Sequence, residues 1–183
     1  IMRDTTAEMV ARSETDPLSS VLNRRGFEHH AELALLRGGE VVVLVTADLD
    51  DFKKINDSFG HAAGDGVIAH FAAMLVDAAP AGAIVGRIGG EEFAVLLPDA
   101  LLSDGRLYAE TVRTTFAAAQ LPVLGVDRGF TASFGVAQRT SGDSLFDLSR
   151  RADAALYRAK AGGRNQVRVA IGELAPAPAV GVA

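Results

Sequence analysis

The chain has 183 residues, enough for one domain with a substantial core, and its hydrophobic fraction of 49% is that of an ordinary globular protein. A net charge of −5 argues against a nucleic-acid partner held by its phosphates, and the absence of cysteine excludes a disulfide framework and a thiolate metal site. No apolar run reaches the length of a membrane span and the polar first residues carry no signal peptide, so this stretch is expected to be cytoplasmic and, starting at Ile1, part of a longer protein.

Residues 1–15 have helix-forming composition with only scattered apolar positions (Met2, Met9, Val10) and read as the end of a helical linker from an upstream module. Asp16-Pro17 breaks that pattern. Asn23–Arg37 reads as a helix carrying Phe27, Leu33 and Leu36 near one face, with Gly38-Gly39 as its stop. The nearly unbroken apolar run Val41–Ala47 predicts a strand buried on both faces. Asp51–Ser58 predicts a short helix ended by Gly60, and Asp65–Ala79 a longer one with Val67, Ile68, Phe71, Met74 and Leu75 at helical spacing. Ala83–Val85 and Phe93–Leu97 flank Gly89-Gly90 and predict a hairpin over 83–97 that Pro98 closes, its glycines taking positive φ. A helix follows over Ser103–Ala119 with Ser103 as N-cap, then a short edge strand at Leu121–Leu124 and a strand at Gly129–Ala137. Leu145–Ala161 is the last long helix, stopped by Gly162-Gly163, and Gln166–Val169 a final strand. Residues 172–183 contain mostly Ala, Pro, Gly and Val and read as a tail or linker. This order gives an α+β fold with helices packed on a sheet.

Two acidic clusters stand out. Arg87-Ile88-Gly89-Gly90-Glu91-Glu92-Phe93 puts paired carboxylates on a turn beside a sheet. Asp48-Leu49-Asp50-Asp51 lies at the end of the central strand, where such sheets place their ligands. Asp48 and Glu91 are therefore candidates to face one Mg²⁺ from neighbouring strands, because Mg²⁺ takes one or two carboxylates and completes its shell with water and phosphate oxygens. Taken singly, Asp50, Asp51 and Asp57 read as solvated turn residues. His29, His30 and His70 lack partners at metal-ligand spacing, and His61 reads as structural.

Six ordered motifs resemble the GGDEF family, the diguanylate cyclase domains. They are Leu22-Asn23-Arg24-Arg25; Asp48-Leu49-Asp50-Asp51-Phe52-Lys53-Lys54-Ile55-Asn56-Asp57; Phe59-Gly60-His61 with Gly64-Asp65; Arg87 to Phe93; Ser133-Phe134-Gly135-Val136; and Ala152-Asp153-Ala154-Ala155-Leu156-Tyr157 with Lys160 and Gly163-Arg164-Asn165. The resemblance spans residues 16–171 and implies a central, mostly antiparallel sheet flanked by helices, similar to adenylyl cyclases and polymerase palms. It implies condensation of two GTP into cyclic di-GMP with release of pyrophosphate, by a homodimer of two half-sites under an upstream sensory module. Asp48, Glu91 and the Leu49 carbonyl would hold Mg²⁺, with Mn²⁺ as the alternative ion, and Glu92 would lie beside the reacting groups. Asn56 and Asp65 would read guanine, since one carboxylate accepts both N1–H and N2–H and repels the acceptor N1 of adenine. Read by themselves, Asn56 is a helix-terminal cap and Asp65 an N-cap. Phe52 and Lys53 would line the substrate site, with the N–H groups of 51–53 meeting phosphate, and Lys160 and Arg164 would grip the terminal phosphates; alone, these two are a basic helix end.

Two departures matter. Ser19-Ser20 stands where the family carries Thr-Gly, so Ser20 strains the turn if its φ is positive. Pro80 and Ala83 occupy the places of an inhibitory Arg and Asp, which predicts no product-binding inhibitory site. Arg150 to Asp153 repeats that spacing inside the last helix, where it is a coincidence. The alternative function is a catalytically inactive GTP-binding module that regulates a partner domain; the intact Asp48, Glu91, Glu92, Lys160 and Arg164 argue against it.

Overall fold

Residues 14–37, 41–121 and 129–170 are described by the structure, a computed structural model. The helical linker expected at 1–15 and the tail at 172–183 therefore lie almost wholly outside the described residues, as does most of the strand expected at 121–124. The strands are β1 (Leu22–Asn23), β2 (Val42–Leu49), β3 (Ile84–Arg87), β4 (Glu92–Pro98), β5 (Ala132–Gln138) and β6 (Val167–Val169). The helices are α1 (Arg24–Leu36), α2 (Phe52–Phe59), α3 (His61–Asp77), α4 (Leu102–Ala118) and α5 (Leu145–Ala161).

One mixed sheet runs in the order β1-β3-β4-β2-β5-β6. Its three central pairings are antiparallel and its two outer pairings, β1 with β3 and β5 with β6, are parallel. Every residue of β2 is buried, as its apolar run predicts, because helices cover both faces. Alternation sorts its side chains. Val43, Val45, Ala47 and Leu49 join Phe71 of α3 and Val112 and Phe116 of α4 in one core, whereas Val42 and Leu44 join Phe27 and Ala31 of α1 and Leu148 and Ala152 of α5 in the other. The same alternation gives Thr46 and Asp48 to the α1/α5 face. Glu92 follows, since it stands opposite Asp48 in the register and precedes the alternating Phe93 and Ala94.

Helix α5 lies directly on β5. A Cβ on Gly135 would stand 2.1 Å from the Ala152 carbonyl oxygen and 2.4 Å from the Leu156 nitrogen, so the helix backbone occupies the room a side chain would need. That close approach carries the end of α5 over the end of β2.

Several boundaries shift by one to four residues from the sequence reading, and β1 was not expected. Helix α3 starts at His61, four residues before Asp65, because Gly60 turns the chain at φ 84° and accepts from Ala63 and Gly64; Asp65 is thus inside the helix and is not its N-cap. Helix α4 is entered from Leu101, whose N–H donates to Asp104 Oδ2, so Ser103 is not the cap. Strand β5 begins at Ala132, not at Gly129. Pro98 ends β4 from within, instead of closing the hairpin after it. Asn23, read as the first helical residue, is instead the N-cap of α1 and accepts from Gly26 N at 2.9 Å.

Candidate active site

The site gathers where β2 and β4 end. Leu49 N–H donates to the Glu91 carbonyl at 3.2 Å, which seats the signature turn against the end of β2. Neither Gly89 nor Gly90 lies in the left-handed region, so the positive φ expected there is not the reason for the glycines. A Cβ on Gly89 would stand 2.2 Å from Glu92 Oε2, so a side chain there would displace the Glu92 carboxylate. Glu92 folds back over the turn, and Ile88 and Gly89 donate to its carbonyl at 2.8 and 3.2 Å.

Asp48 is buried at 4% exposure, and its two oxygens have different surroundings. Oδ2 is 2.6 Å from Lys160 Nζ, whereas Oδ1 has no hydrogen-bond partner. Burial pushes the Asp48 carboxyl up to about 6; Lys160 acts against that rise, and the charges of Glu91 and Glu92 add to it. A buried acceptor without a donor is costly, and two neighbouring carboxylates aggravate the cost. A hard cation at Oδ1 would relieve both, so the Asp48–Glu91 pair fits a divalent metal. Among the described residues no group of three or more His, Cys, Asp or Glu is arranged to hold a metal ion by itself. An ion at Asp48 and Glu91 would need further oxygens from outside these two side chains to complete its shell.

Asp50 is not a solvated turn residue as its sequence suggests. It is buried at 5% exposure, and it accepts from Ser133 Oγ at 2.7 Å, Thr131 Oγ1 at 2.8 Å and Asn165 N at 2.9 Å. Asp51 is exposed, enters α2 at φ 54° and pairs with Lys54 at 3.0 Å. Asp57 is exposed, in line with its sequence reading.

The expected nucleotide-binding residues fall into two groups. Asn56 on α2 packs over α3: a Cβ on Gly64 would stand 1.9 Å from its Oδ1, and the next residue is the exposed Asp65. Phe52 is buried with its ring against Gly64, while Lys53 is exposed. The ladder of α2 starts when Lys54 and Ile55 donate to the Asp51 carbonyl, so the N–H groups of 51–53 precede it. Lys160 lies in the last turn of α5 on Asp48. Arg164 is beyond the helix, in a turn, with Nε 3.9 Å from Asp51 Oδ1. Lys160 thus meets Asp48 and Arg164 approaches Asp51, whereas Asn56 lies against Gly64, the neighbour of Asp65.

The sequence reading missed a clamp. Arg87 Nη1 donates to both Asp16 oxygens at 3.2 and 3.0 Å, and its Nε and Nη2 donate to Gly90 O at 3.1 and 2.7 Å. One guanidinium thus joins the signature turn to the chain entering the domain. Ser19 completes that entry turn by donating from N and Oγ to Asp16 Oδ2. Ser20 sits at φ 60°, the strain expected from serine in the glycine position. The only sequence signal for the clamp was the pairing of an isolated Asp-Pro with an Arg beside the signature. Pro80 and Ala83 line an open cavity of about 500 Å³ with His30 and Val85, and neither side chain supplies a charge to it. Arg150 and Asp153 do lie within α5, along a groove shared with Arg24 and Thr46.

The fold is that of the palm-like cyclases. The chain belongs to the GGDEF family: the model described as diguanylate cyclase, GGDEF domain, matches residues 13–166. It is 41% identical over 158 residues to the diguanylate cyclase DgcM of Escherichia coli strain K12, which takes in 85% of this chain and 38% of that protein. It is 41% identical over 157 residues to the diguanylate cyclase VdcA of Vibrio cholerae, covering 83% of this chain and 45% of that one. The chain thus spans less than half the length of these relatives. Among solved structures, the coiled coil and GGDEF domain of DgcB from Caulobacter crescentus, in complex with c-di-GMP, superposes with a TM-score of 0.86 at 32% identity, over 92% of this chain and 91% of that one. The active GGEEF domain of a diguanylate cyclase from Vibrio cholerae gives 0.77 at 31% identity, over 82% and 97%.

Proposed function

We propose that this domain condenses two GTP molecules into cyclic di-GMP, releasing two pyrophosphates. The observation that carries the reading is the Asp48 carboxylate: buried, with one oxygen on Lys160 and the other unpartnered beside the acidic turn. Bound between Asp48 and Glu91, a divalent ion would neutralise phosphate charge and ease loss of the 3′-hydroxyl proton. Mg²⁺ suits this site, with Mn²⁺ as the substitute, because every donor on offer is a hard oxygen.

The residues have separate tasks in this reading. Asp65 accepts from the N1–H and N2–H of guanine, Asn56 completes the base contacts, and Phe52 backs the pocket. The N–H groups of 51–53 and Lys53 meet phosphate at the start of α2, and Arg164 holds the terminal phosphates. Lys160 leaves part of its contact with Asp48 to share a phosphate oxygen. Glu92, on the same face as Asp48, stands beside the reacting atoms. One base pocket holds one nucleotide, so two copies must face each other for each 3′-hydroxyl to reach the opposite α-phosphorus. The domain is accordingly a homodimer when it turns over, governed by an upstream sensory module, and it works in the cytoplasm; among the described residues no helix is long and apolar enough to cross a membrane.

The test is incubation of the purified protein with GTP and Mg²⁺ over a range of protein concentrations, resolving cyclic di-GMP from linear product. The expected result is cyclic product with specific activity that rises with protein concentration. Saturable GTP binding without product would replace this reading by that of a regulatory module. In competition binding, Asp65→Ala should reduce the preference for GTP over ATP; an unchanged preference would remove Asp65 from the base pocket.

A further inference from the structure

The turn that carries Arg164 is built from three consecutive residues with positive φ: Gly163 at 114°, Arg164 at 64° and Asn165 at 44°. Glycine accepts this conformation freely and asparagine at small cost, whereas arginine adopts it only when its surroundings compensate. Two side chains distant in sequence supply that compensation. Asp50 Oδ2 accepts the Asn165 backbone N–H at 2.9 Å, and Arg113 Nη1 donates to Asn165 Oδ1 at 2.9 Å and to its carbonyl at 3.3 Å. Asp50 is itself fixed from the other side by Ser133 and Thr131.

We infer that Asp50 is a positioning residue: it holds the Gly163–Asn165 turn in its left-handed form so that the Arg164 guanidinium is presented to the terminal phosphates of the nucleotide. Its place in the chain suits the task. Asp50 lies one residue from Leu49 and Asp51, next to the carboxylate Asp48 and the start of α2, so a single side chain sets the Arg164 turn relative to both the reaction centre and the phosphate-facing N–H groups. All its observed bonds go to protein donors, which separates it from Asp48, whose Oδ1 is unpartnered. The Arg164 side chain is half exposed, with its Nε 3.9 Å from Asp51 Oδ1 at the start of α2. A free turn at Gly163 would let this guanidinium sweep a wide volume; a turn pinned at Asn165 confines it. Arg113 acts on the same turn from α4, at a more exposed position.

This inference rests on the assignment of Arg164 to the terminal phosphates, and the experiment separates the two. Equilibrium binding of GTP and of GMP is measured with the full chain for the wild type, Asp50→Asn, Arg113→Ala, Arg164→Ala and the double variant Asp50→Asn/Arg164→Ala. Thermal melts accompany each variant, and KM and kcat are measured for those that turn over. Arg164→Ala is expected to reduce the GTP-over-GMP preference roughly 10- to 100-fold, the range for a charge-assisted contact. Asp50→Asn is expected to reduce the same preference about tenfold with GMP affinity nearly unchanged, and Arg113→Ala by a smaller factor in the same direction. The double variant should be no worse than Arg164→Ala alone, since a positioning residue has nothing left to position. Rising KM with kcat largely kept is the matching kinetic signature. Equal loss of GTP and GMP affinity in Asp50→Asn, or an additive double variant, would overturn the inference and leave Asp50 a general scaffold residue. If Asp50→Asn does not fold, Arg113→Ala decides: an unchanged preference overturns the inference. An unchanged preference in Arg164→Ala overturns the phosphate assignment itself, and the inference with it.

Discussion

Asp48 and Asp50 stand two residues apart at the end of one strand, both almost fully buried, yet their environments are opposite. Asp50 is surrounded by hydroxyl and N–H donors that complete it. Asp48 has a cation on one oxygen, no partner on the other and two further acids close by. Burial and acidity are therefore shared by a carboxylate whose partners are complete and one whose partners are not. What separates them is whether the surroundings satisfy the charge or leave an oxygen open for something absent from the chain. The first kind ties elements together; the second is held in place at a cost to stability.

The largest effect that bears on this comparison is on turnover. Asp48→Asn should lower kcat by at least about 10³-fold, the scale seen when a group central to the stabilisation of developing charge is removed. Its fold should gain. The raised pKa of Asp48 means that the folded state prefers the protonated form. That preference favours folding below the ordinary value of 3.8, and the benefit is lost as pH rises through about 6. Without metal, Asp48→Asn should therefore be more stable than wild type by on the order of 2 kcal/mol above pH 6, a difference that shrinks toward pH 4. Chemical denaturation at both pH values checks it; an Asp48→Asn protein that is less stable at pH 7 would break the contrast.

Asp50→Ala should behave in the reverse way. It leaves Ser133, Thr131 and Asn165 N without an acceptor, so it should lose about 3 kcal/mol of stability at neutral pH. A loss under about 1 kcal/mol would mean that water replaces the carboxylate and that the bonds were not structural.

A third carboxylate tests the same idea nearer the surface. Asp16 is partly buried, which raises its pKa, but the Ser19 hydroxyl and N–H and then Arg87 outweigh this and hold it below 3.8. Stability from that pairing is complete above pH 3.8 and disappears as pH falls through the lowered value. Arg87→Ala should cost about 1–2 kcal/mol at pH 7, and its melting temperature should converge with that of the wild type in strong acid. Parallel acid titration curves for the two proteins would count against the pairing. The smallest effect is a control on the same turn. Ser20→Gly leaves the Asp16 carboxylate alone and removes the cost of φ 60° at serine, so it should raise stability by about 1 kcal/mol without changing acid dependence.

Much of this was legible in the chain. The apolar run before Asp48 marks a central strand, and Gly-Gly-Glu-Glu between two β-type runs marks the turn beside it, because both patterns depend on period and local turn chemistry. The distinction between Asp48 and Asp50 was not legible. Two acids in one loop look alike until the partners arrive from Thr131, Ser133 and Asn165, more than 80 residues away in each case. The start of α3 was misplaced for a related reason. Asp65 is a good N-cap by type, but Gly60 turns the chain earlier and the helix begins there. The Arg87–Asp16 clamp joins residues 71 positions apart, which no local pattern encodes.

The contact of α5 with Gly135 has a mechanical consequence. Most helices rest on a sheet through a layer of side chains, and that layer can slip between rotamers when a load is applied. Here the helix backbone touches the strand backbone, so there is no such layer at this point. Strand and helix are joined like a beam laid directly on its support. Sliding α5 along β5 would drive carbonyl and amide groups into the strand, and a tilt would have to lever against the same point. The backbone contact at Gly135 thus limits how far α5 can slide, and with it how far the Lys160 ammonium can drift from the Asp48 carboxylate.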